Sequence, residues 1–330
     1  MVKHLKTQVA AVDIFCGAGG LTRGLLDAGV KVVAGYDIDD SCRYAYEENN
    51  EGARFYNESV SNLKADELVR LYPKGHVRAL VGCAPCQTFS KYTQGLKQTN
   101  DPKWTLLTQF GRLIQELQPD VVSMENVPEL SDYRIFSNFL TLLRREGFYF
   151  VQDPAKWIVY APNYGIPQNR RRLVLLASRL GPIEIIPPTH HPEKYLRVRD
   201  AIGNLPPLGA GEACDTDPLH RSSSLSERNL QRIRASKQGG TWRDWPTALR
   251  ADCHKEKTGK TYSSVYGRIE WDKPSPTITT QFYGYGSGRF GHPEQDRGLS
   301  LREGAILQSF PEGYQFVKPG VSTASKGLVG

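Results

Sequence analysis

Short apolar runs alternate with amphipathic stretches through the first half of this 330-residue chain. Residues 9–15 form an apolar run typical of a buried strand, and Leu21, Leu25, Leu26 and Ala28 then recur at helical spacing. The same pattern predicts further strands at residues 31–36, 53–56, 77–82, 120–124, 148–159 and 172–177. It predicts further helices near residues 41–49, 66–72, 104–117 and 135–145. This alternation predicts an α/β fold, with a parallel-type sheet covered by helices on both faces.

The alternation stops after Ser178, where prolines become frequent. We therefore predict a large domain over residues 1–184 and a smaller one over residues 185–297. An apolar helical pattern resumes after residue 298, and we predict that residues 298–330 return to pack on the first domain. In the second domain, Ser224 and Glu227 have the spacing of a capping box that would begin a short basic helix.

Composition narrows the class of protein. Hydrophobic residues make up 39% of the chain and aromatic residues 10%, as in a globular protein. We find no apolar run of the ~18–20 residues that a membrane helix needs, and no leader pattern. Six cysteines at irregular spacing favour a reducing compartment. We therefore expect a cytoplasmic protein with free thiols and no membrane partner.

The positive charge is concentrated in one segment. The net charge is +7, and residues 220–268 hold eleven Lys or Arg against four acids, an excess equal to that of the whole chain. Trp242, Trp245, Tyr262 and Tyr266 are interleaved with these cations. A solvated basic surface is one interpretation, and a nucleic-acid surface is the other.

A glycine-rich turn follows the first predicted strand. Asp13 begins the stretch that ends at Gly20, and Asp37 follows the second strand. Such a turn lets a cofactor approach the backbone, and an acid at this distance can bind ribose hydroxyls. The dinucleotide fingerprint is not met because Thr22 occupies its last glycine position, which disfavours a dehydrogenase. A purely structural glycine turn stays an alternative.

Cys86 stands at the end of the apolar run at residues 77–82, within the stretch from Gly82 to Ser90. It is a candidate nucleophile, which would make the protein an enzyme. A redox pair with Cys83 or half of a zinc site uses the same spacing, but the remaining cysteines are scattered and supply no second pair. We interpret Cys83 as a packing residue.

In their order and spacing, five motifs resemble those of the bacterial DNA (cytosine-5)-methyltransferase family. They are the glycine-rich turn at 13–20, Pro85-Cys86-Gln87, Glu125-Asn126-Val127, Gln168-x-Arg170-x-Arg172, and Arg268 with Pro274-Ser275-Pro276-Thr277-Ile278-Thr279. The resemblance implies a Rossmann-like methyltransferase sheet dependent on S-adenosylmethionine, with a smaller domain that recognises the DNA target. It covers nearly all of the chain outside residues 185–265.

The chemistry of that reaction accounts for these residue types. Carbon 5 of cytosine is a poor nucleophile, and a thiolate that adds to carbon 6 makes the ring able to attack a methyl sulfonium. The addition moves electrons toward ring nitrogen 3, which a carboxyl group can protonate or hydrogen-bond. The resemblance implies that Cys86 and Glu125 fill these two roles, that Arg172 reaches the base oxygen, and that Arg170 braces the site.

The resemblance also implies a set of cofactor contacts for S-adenosylmethionine, which leaves as S-adenosylhomocysteine. Asp37 would hold the ribose and Ile38 would lie against the adenine. The expected contacts are Phe15, Gly17, Gly19, Gly20, Leu21, Asp37, Ile38, Ser59, Val60 and Pro85. Ser59 stands where the family usually has an aspartate that contacts the adenine amine. The family also commonly continues beyond the position of Gly330 with a closing helix, and we expect either a truncated segment or one supplied from elsewhere.

Double-stranded DNA is the partner implied. The target base lies inside the duplex, so it must be flipped out, and residues 90–103 would close over it. The expected DNA contacts are Gln87, Ser90, Arg243, Arg250, Lys260 and Arg268. A cognate restriction or defence nuclease would be a second partner, and we expect a monomer that associates with the bacterial nucleoid through DNA and needs no metal. A tRNA cytosine-5 methyltransferase and an inactive DNA-binding relative stay alternatives.

Overall fold

The computed structural model describes residues 8–85, 104–256 and 264–320. The chain divides into two compact units. Unit 1 comprises Met1–Val159, Arg171–Pro187 and Gln315–Lys318. Unit 2 comprises Tyr160–Arg170, Pro188–Tyr314 and Pro319–Gly330.

Within the described residues, seven strands form one sheet. The strands are β1 (Val9–Ile14), β2 (Lys31–Asp37), β3 (Arg54–Asn57), β4 (Val77–Gly82), β5 (Val121–Asn126), β6 (Ile158–Tyr160) and β7 (Arg171–Ser178). Their order across the sheet is β3-β2-β1-β4-β5-β7-β6. This arrangement confirms the predicted α/β class with a Rossmann-like sheet.

Strand direction decides where functional side chains can gather. β1 pairs in parallel with β2 and β4, and β4 pairs in parallel with β5. The carboxyl ends of these four strands therefore meet at one edge, where ligands bind in open α/β sheets. β5 pairs with β7 in the antiparallel direction, with Asn126 opposite Leu173. β7 therefore starts where β5 ends, which places its first residues at the same edge.

Helices in unit 1 cover the sheet as the periodicity predicted. They are α1 (Gly20–Asp27), α2 (Arg43–Asn49), α3 (Ala65–Val69), α4 (Trp104–Leu117) and α5 (Arg134–Arg145). The apolar positions of α4 are buried in the main core together with Phe136 and Phe139 of α5. Phe110 stacks on Phe139, with ring centroids 6.1 Å apart. Burial of these stripes is the main force that holds helix to sheet.

The predicted strand over residues 148–159 is divided in the structure. Tyr149 forms an isolated bridge to Ser178, a 3₁₀ turn follows at Pro154–Trp157, and only Ile158–Tyr160 is strand. Proline lacks a backbone N–H and fixes φ, so it suits the start of the turn and interrupts a strand ladder.

Unit 2 contains short helices and much irregular chain. Its helices are α6 (Val198–Ile202), α7 (Glu227–Arg234), α8 (Asp252–Lys255) and α9 (Leu301–Leu307). The residue that caps α7 is Ser226, whose hydroxyl accepts from the Asn229 N–H, so the prediction of a cap at Ser224 is wrong.

The compact units divide the chain differently from the predicted ranges. Leu299, Ile306 and Leu307 pack with Ile202 and Phe282 in one core of unit 2, so no boundary falls at residue 297. A short part of the predicted return segment, Gln315–Lys318, does belong to unit 1. There Asn49 of α2 donates from its side-chain amide to the Gln315 carbonyl and accepts from the Gln315 N–H.

No helix within residues 8–85, 104–256 and 264–320 is both long and apolar enough to cross a bilayer.

Candidate active site

The turn after β1 depends on unusual backbone angles. Phe15, Gly17 and Gly19 have φ of 63°, 50° and 90°, in the left-handed region that glycine tolerates. A Cβ added at Gly17 would meet no atom within 4 Å, so the space beside the turn is open. The Gly19 N–H donates to the Cys16 carbonyl at 2.9 Å, and Gly19 then caps α1, whose first residue is Gly20.

Asp37 joins this turn to the end of β2. Its Oδ2 accepts from the Gly17 N–H at 2.9 Å, and its Oδ1 accepts from the Asp39 N–H at 3.0 Å. Each oxygen keeps a lone pair that can accept a hydroxyl. Ile38 is 75% exposed, and Leu21 in the first turn of α1 is also exposed. The open turn, the acceptor oxygens and the exposed apolar side chains fit an adenosine group.

The end of β3 gives a mixed result for the predicted cofactor contacts. The Ser59 N–H donates to Glu58 Oε1, and the Ser59 hydroxyl oxygen accepts from the Ser61 N–H at 3.3 Å. Val60 is buried in the main core, and its carbonyl accepts from the Arg112 guanidinium. The Val60 side chain therefore packs in the interior, and the contacts of Ser59 and Val60 with the cofactor stay predictions.

A buried polar group underlies the glycine turn, and the sequence reasoning missed it. Asp13 of β1 accepts from the Thr22 hydroxyl at 2.7 Å, and the same hydroxyl lies 3.0 Å from the Tyr46 hydroxyl. Burial raises the pKa of Asp13 to about 7, although the Thr22 hydrogen bond acts to lower it. An acid within an otherwise apolar strand was the sequence signal that could have found it.

Glu125 lies near the end of β5 and is held from both sides. Its Oε1 is 2.9 Å from Arg172 Nε of β7, and its Oε2 is 2.7 Å from Cys83 Sγ, which follows β4. The Glu125 and Arg172 side chains are 27% and 21% exposed, so the carboxyl group faces the surface at the sheet edge while its partners restrain it. Cys83 is thus more than the packing residue that the sequence predicted.

Asn126 fixes the segment that leads toward the candidate nucleophile. Its buried side-chain amide donates to the Ala84 carbonyl at 2.9 Å and accepts from the Val127 N–H at 2.9 Å. Pro85 comes next and is half-buried. The motif was recognised in the sequence, but this link between the ends of β4 and β5 needed the sheet.

Several predicted residues lie outside the described ranges. They are Cys86, Gln87, Ser90 and Lys260, together with the predicted closing segment at residues 90–103.

Arg170 precedes β7 and is half-buried. Its carbonyl accepts from the Ala161 N–H at 2.9 Å within unit 2.

Two motifs that are far apart in sequence pair within unit 2. Gln168 bridges to Ser275, and the Gln168 side chain accepts from the Ile278 N–H and donates to the Leu307 carbonyl. The Thr277 hydroxyl donates to the Asn169 carbonyl at 2.6 Å. The segment before Arg170 is therefore held by the proline-rich motif.

The predicted DNA contacts differ in exposure. Arg243 is exposed, and its carbonyl accepts from the half-buried Arg250 at 2.8 Å. Arg268 is only 5% exposed, and its guanidinium is 2.5 Å from Asp296. It also donates to the carbonyls of Ile233, Ser236, His292 and Gln295. The prediction that Arg268 contacts DNA is therefore wrong, since its charge is used to hold unit 2 together.

The aromatic residues of the basic segment also point inward. Trp242 and Trp245 are buried with Ile233 and Tyr285 in a core of unit 2. Trp242 stacks on His254 with centroids 4.2 Å apart. These indoles do not form a surface for nucleic-acid bases, and Tyr262 lies outside the described ranges.

Comparison with known proteins identifies the family. The model of the C-5 cytosine-specific DNA methylase family matches residues 9–326. The Type II methylase M.HgiDII of Herpetosiphon aurantiacus is 53% identical over 94% of this chain and 87% of its own length. The Type II methyltransferase M1.HphI of Haemophilus parahaemolyticus is 30% identical over 93% of this chain and 78% of its own length.

Solved structures share the fold. A chain encoded within an E. coli prophage superposes with a TM-score of 0.67 at 21% identity, over 94% of this chain and 90% of that one. The methyltransferase EhMeth of Entamoeba histolytica gives a TM-score of 0.63 at 15% identity, over 96% and 90%. The family match, the open turn beside Asp37 and the restrained Glu125 agree with one another. The chain therefore belongs to the C-5 cytosine-specific DNA methylase family and is an S-adenosylmethionine-dependent DNA (cytosine-5)-methyltransferase.

Proposed function

We propose that the residues at the carboxyl edge of the unit 1 sheet carry out this methyl transfer. The observation that carries the proposal is Glu125, restrained between Arg172 and Cys83 at the end of β5. The neighbouring strand β4 leads into Pro85 and then Cys86. The chemistry of cytosine methylation needs a carboxyl group and a thiolate within reach of the same base.

The thiolate of Cys86 adds to carbon 6 of the cytosine, which forms a carbon–sulfur bond and moves an electron pair toward ring nitrogen 3. Glu125 places its carboxyl group at nitrogen 3 and supplies a proton or a hydrogen bond there. Arg172 Nε holds Oε1 of that carboxyl group, and Arg172 Nη1 donates to the Arg171 carbonyl at 2.7 Å. The proposed donor to the base oxygen is therefore Nη2. Carbon 5 of the activated ring would then take up the methyl group that the cofactor supplies. Removal of the carbon 5 proton by a base, with departure of the sulfur from carbon 6, would restore the ring and the thiolate.

The glycine turn and Asp37 form the proposed cofactor site. When bound, S-adenosylmethionine supplies an electrophilic methyl group on a sulfonium. The backbone at Phe15, Gly17 and Gly19 lets the cofactor approach closely, and Asp37 accepts from the ribose hydroxyls. Ile38 covers one face of the adenine.

A covalent adduct tests this proposal. Duplex DNA carrying 5-fluorocytosine cannot lose the group at carbon 5, so the enzyme should stay attached through sulfur and survive denaturing electrophoresis. The adduct should be absent in Cys86→Ala and retained in Cys214→Ala, a matched thiol deletion in unit 2. Methylation that persists in Cys86→Ala would overturn the assigned nucleophile.

The proposed DNA surface includes two cations of unit 2, the exposed Arg243 and the half-buried Arg250, whose proposed role is to contact phosphates. Gln87, Ser90 and Lys260 stay predicted contacts. The short basic segment suits recognition of a short target sequence. Bisulfite sequencing of DNA from cells that express the protein would reveal that sequence, and methylation without any shared sequence would contradict it.

A restriction nuclease of the same target sequence is the proposed cellular counterpart. Support comes from the Type II methylase of Herpetosiphon aurantiacus, at 53% identity. We further propose that the protein acts as a monomer on DNA in the bacterial cytoplasm. Plasmid methylated by the protein should resist one Type II nuclease, and light scattering should give a mass near 36.9 kDa. A mass of twice that value would contradict the monomer.

A further inference from the structure

Strand register brings Cys83 beside Glu125. In the parallel pair of β4 and β5, Gly82 lies opposite Met124. Cys83 directly follows Gly82 at the end of β4, and Glu125 is the next residue of β5. Their side chains meet, with Sγ 2.7 Å from Oε2. The Cys83 thiol is the donor in this contact, and the Glu125 oxygen is the acceptor.

This contact completes a two-point restraint on the carboxyl group. The terminal torsion of a glutamate is broad, so one partner leaves the plane of the carboxyl group free to turn. Arg172 holds Oε1 and Cys83 holds Oε2, which together select one orientation. Arg172 lies on β7 and Cys83 directly follows β4, and these two strands flank β5 in the same sheet, so the restraint has a rigid base.

We propose that Cys83 is a positioning residue that orients Glu125 for its contact with the cytosine ring. The inference rests on the proposed role of Glu125 and adds to it. Cys83 touches neither substrate nor cofactor in this account and acts only through Glu125. A thiol is a weak hydrogen-bond donor. Cys83 can therefore orient the Glu125 carboxyl group and still leave the carboxyl proton available to the cytosine ring.

Two substitutions at Cys83 separate orientation from packing. Cys83→Ala removes the donor and should lower kcat ~10-fold, the order expected for a hydrogen bond that matters in the transition state. The KM values for DNA and for S-adenosylmethionine should stay within about 2-fold, since ground-state binding is untouched. Cys83→Ser keeps a donor and should recover kcat to within about 3-fold of the unmodified enzyme. Cys214→Ala is the matched thiol control and should leave kcat unchanged.

A double variant shows whether Cys83 acts through Glu125. In the Glu125→Gln background, Cys83→Ala should cause no further loss of the single-turnover rate, because the carboxylate that it orients is gone. Circular dichroism and thermal midpoints of every variant identify misfolding, and Cys83→Ser supplies a conservative replacement if Cys83→Ala fails to fold.

The outcomes distinguish this inference from the proposed function. Full activity in Glu125→Gln would overturn the role of Glu125 and with it the proposed mechanism. Loss of activity in Glu125→Gln, together with unchanged kcat in Cys83→Ala, would overturn the inference alone. Equal kcat losses in Cys83→Ala and Cys83→Ser, or a loss that persists in the Glu125→Gln background, would also overturn it.

Discussion

Asp13 shows how one buried residue couples stability to pH. Its Oδ2 accepts from Thr22, while its buried Oδ1 has no hydrogen-bond partner within the described structure. Burial raises the pKa of Asp13 from 3.8 to about 7. Between these two values the folded state binds a proton that the unfolded state has lost. Below pH 4, Asp13 therefore does not change the free energy of unfolding. As the pH rises toward 7, its ionisation lowers that free energy, and the loss is complete above pH 7.

Asp13→Asn should remove this penalty because the amide does not ionise. We expect the thermal midpoint of Asp13→Asn, relative to the unmodified protein, to be higher at pH 8 than at pH 4.5. The difference corresponds to at most a few kcal/mol, at about 1.4 kcal/mol per pKa unit. The exposed Glu51→Gln is the control and should show no such trend. A difference that is the same at both pH values would contradict the assignment.

A buried ion pair has the opposite pH dependence in unit 2. Arg297 donates to both oxygens of Glu303, at 2.8 and 2.7 Å, and both side chains are buried. Burial acts to raise the pKa of Glu303, but the hydrogen bonds and charge of Arg297 outweigh it and leave that pKa below its usual value. The pair therefore stabilises the protein above the ordinary carboxyl pKa and less as the pH falls.

Glu303→Gln should leave the Arg297 charge buried without its counter-ion. We expect a loss of ~3–5 kcal/mol in unfolding free energy, the usual cost of breaking a buried pair from one side. Urea unfolding followed by tryptophan fluorescence measures it. Asp252→Asn breaks the exposed pair with Lys255 and should leave the midpoint unchanged. Equal midpoints for both variants would contradict the role given to the buried pair.

At the scale of elements, the ends of β4 and β5 act as one support. Asn126 ties Ala84 to β5, and Cys83 contacts Glu125, so the segment that leads to Cys86 is held by the neighbouring strand. The side chains themselves sit at adjacent strand ends because both strands run in the same direction.

Asn126→Ala should weaken catalysis more than it weakens substrate binding. The Ala84 carbonyl loses its donor, and the chain before Cys86 is no longer fixed. We expect kcat to fall ~10–100-fold, since small misplacements of a nucleophile are costly. Steady-state kinetics with DNA and cofactor varied in turn measures the change. Ser131→Ala, which removes a side-chain hydrogen bond elsewhere in the same connection, is the control. A rise in KM with unchanged kcat would contradict this role for Asn126.

At the scale of the whole molecule, the charge excess and the exposed charge are different quantities. Residues 220–268 carry an excess equal to the net charge of +7. Arg232 and Arg268 are nevertheless buried, and Arg234 pairs with Asp296. The exposed cations are therefore fewer than the sequence count suggests, and Arg243, the proposed DNA contact, is among the exposed ones.

Arg243→Ala should reduce the salt dependence of DNA binding. The slope of log K against log salt is negative, and each phosphate contact that is lost reduces its magnitude by about 0.9. Binding of a fluorescent duplex at several salt concentrations measures the slope. Arg70→Ala removes an exposed arginine of unit 1 and should leave the slope unchanged. Equal slopes for Arg243→Ala and the unmodified protein would remove Arg243 from the DNA surface.

The sequence by itself determined the alternation of strands and helices, the sheet class and the residue types of the active site. These features depend on local periodicity and on motifs of a few residues, as with the apolar stripe of α4 and the glycine turn before α1. The tertiary structure alone decided which charges are buried and which side chains meet. Arg268 became an internal brace, and Cys83 became a partner of Glu125, through contacts between residues 28 and 42 positions apart. Such contacts follow from strand order, register and burial, which no local pattern contains.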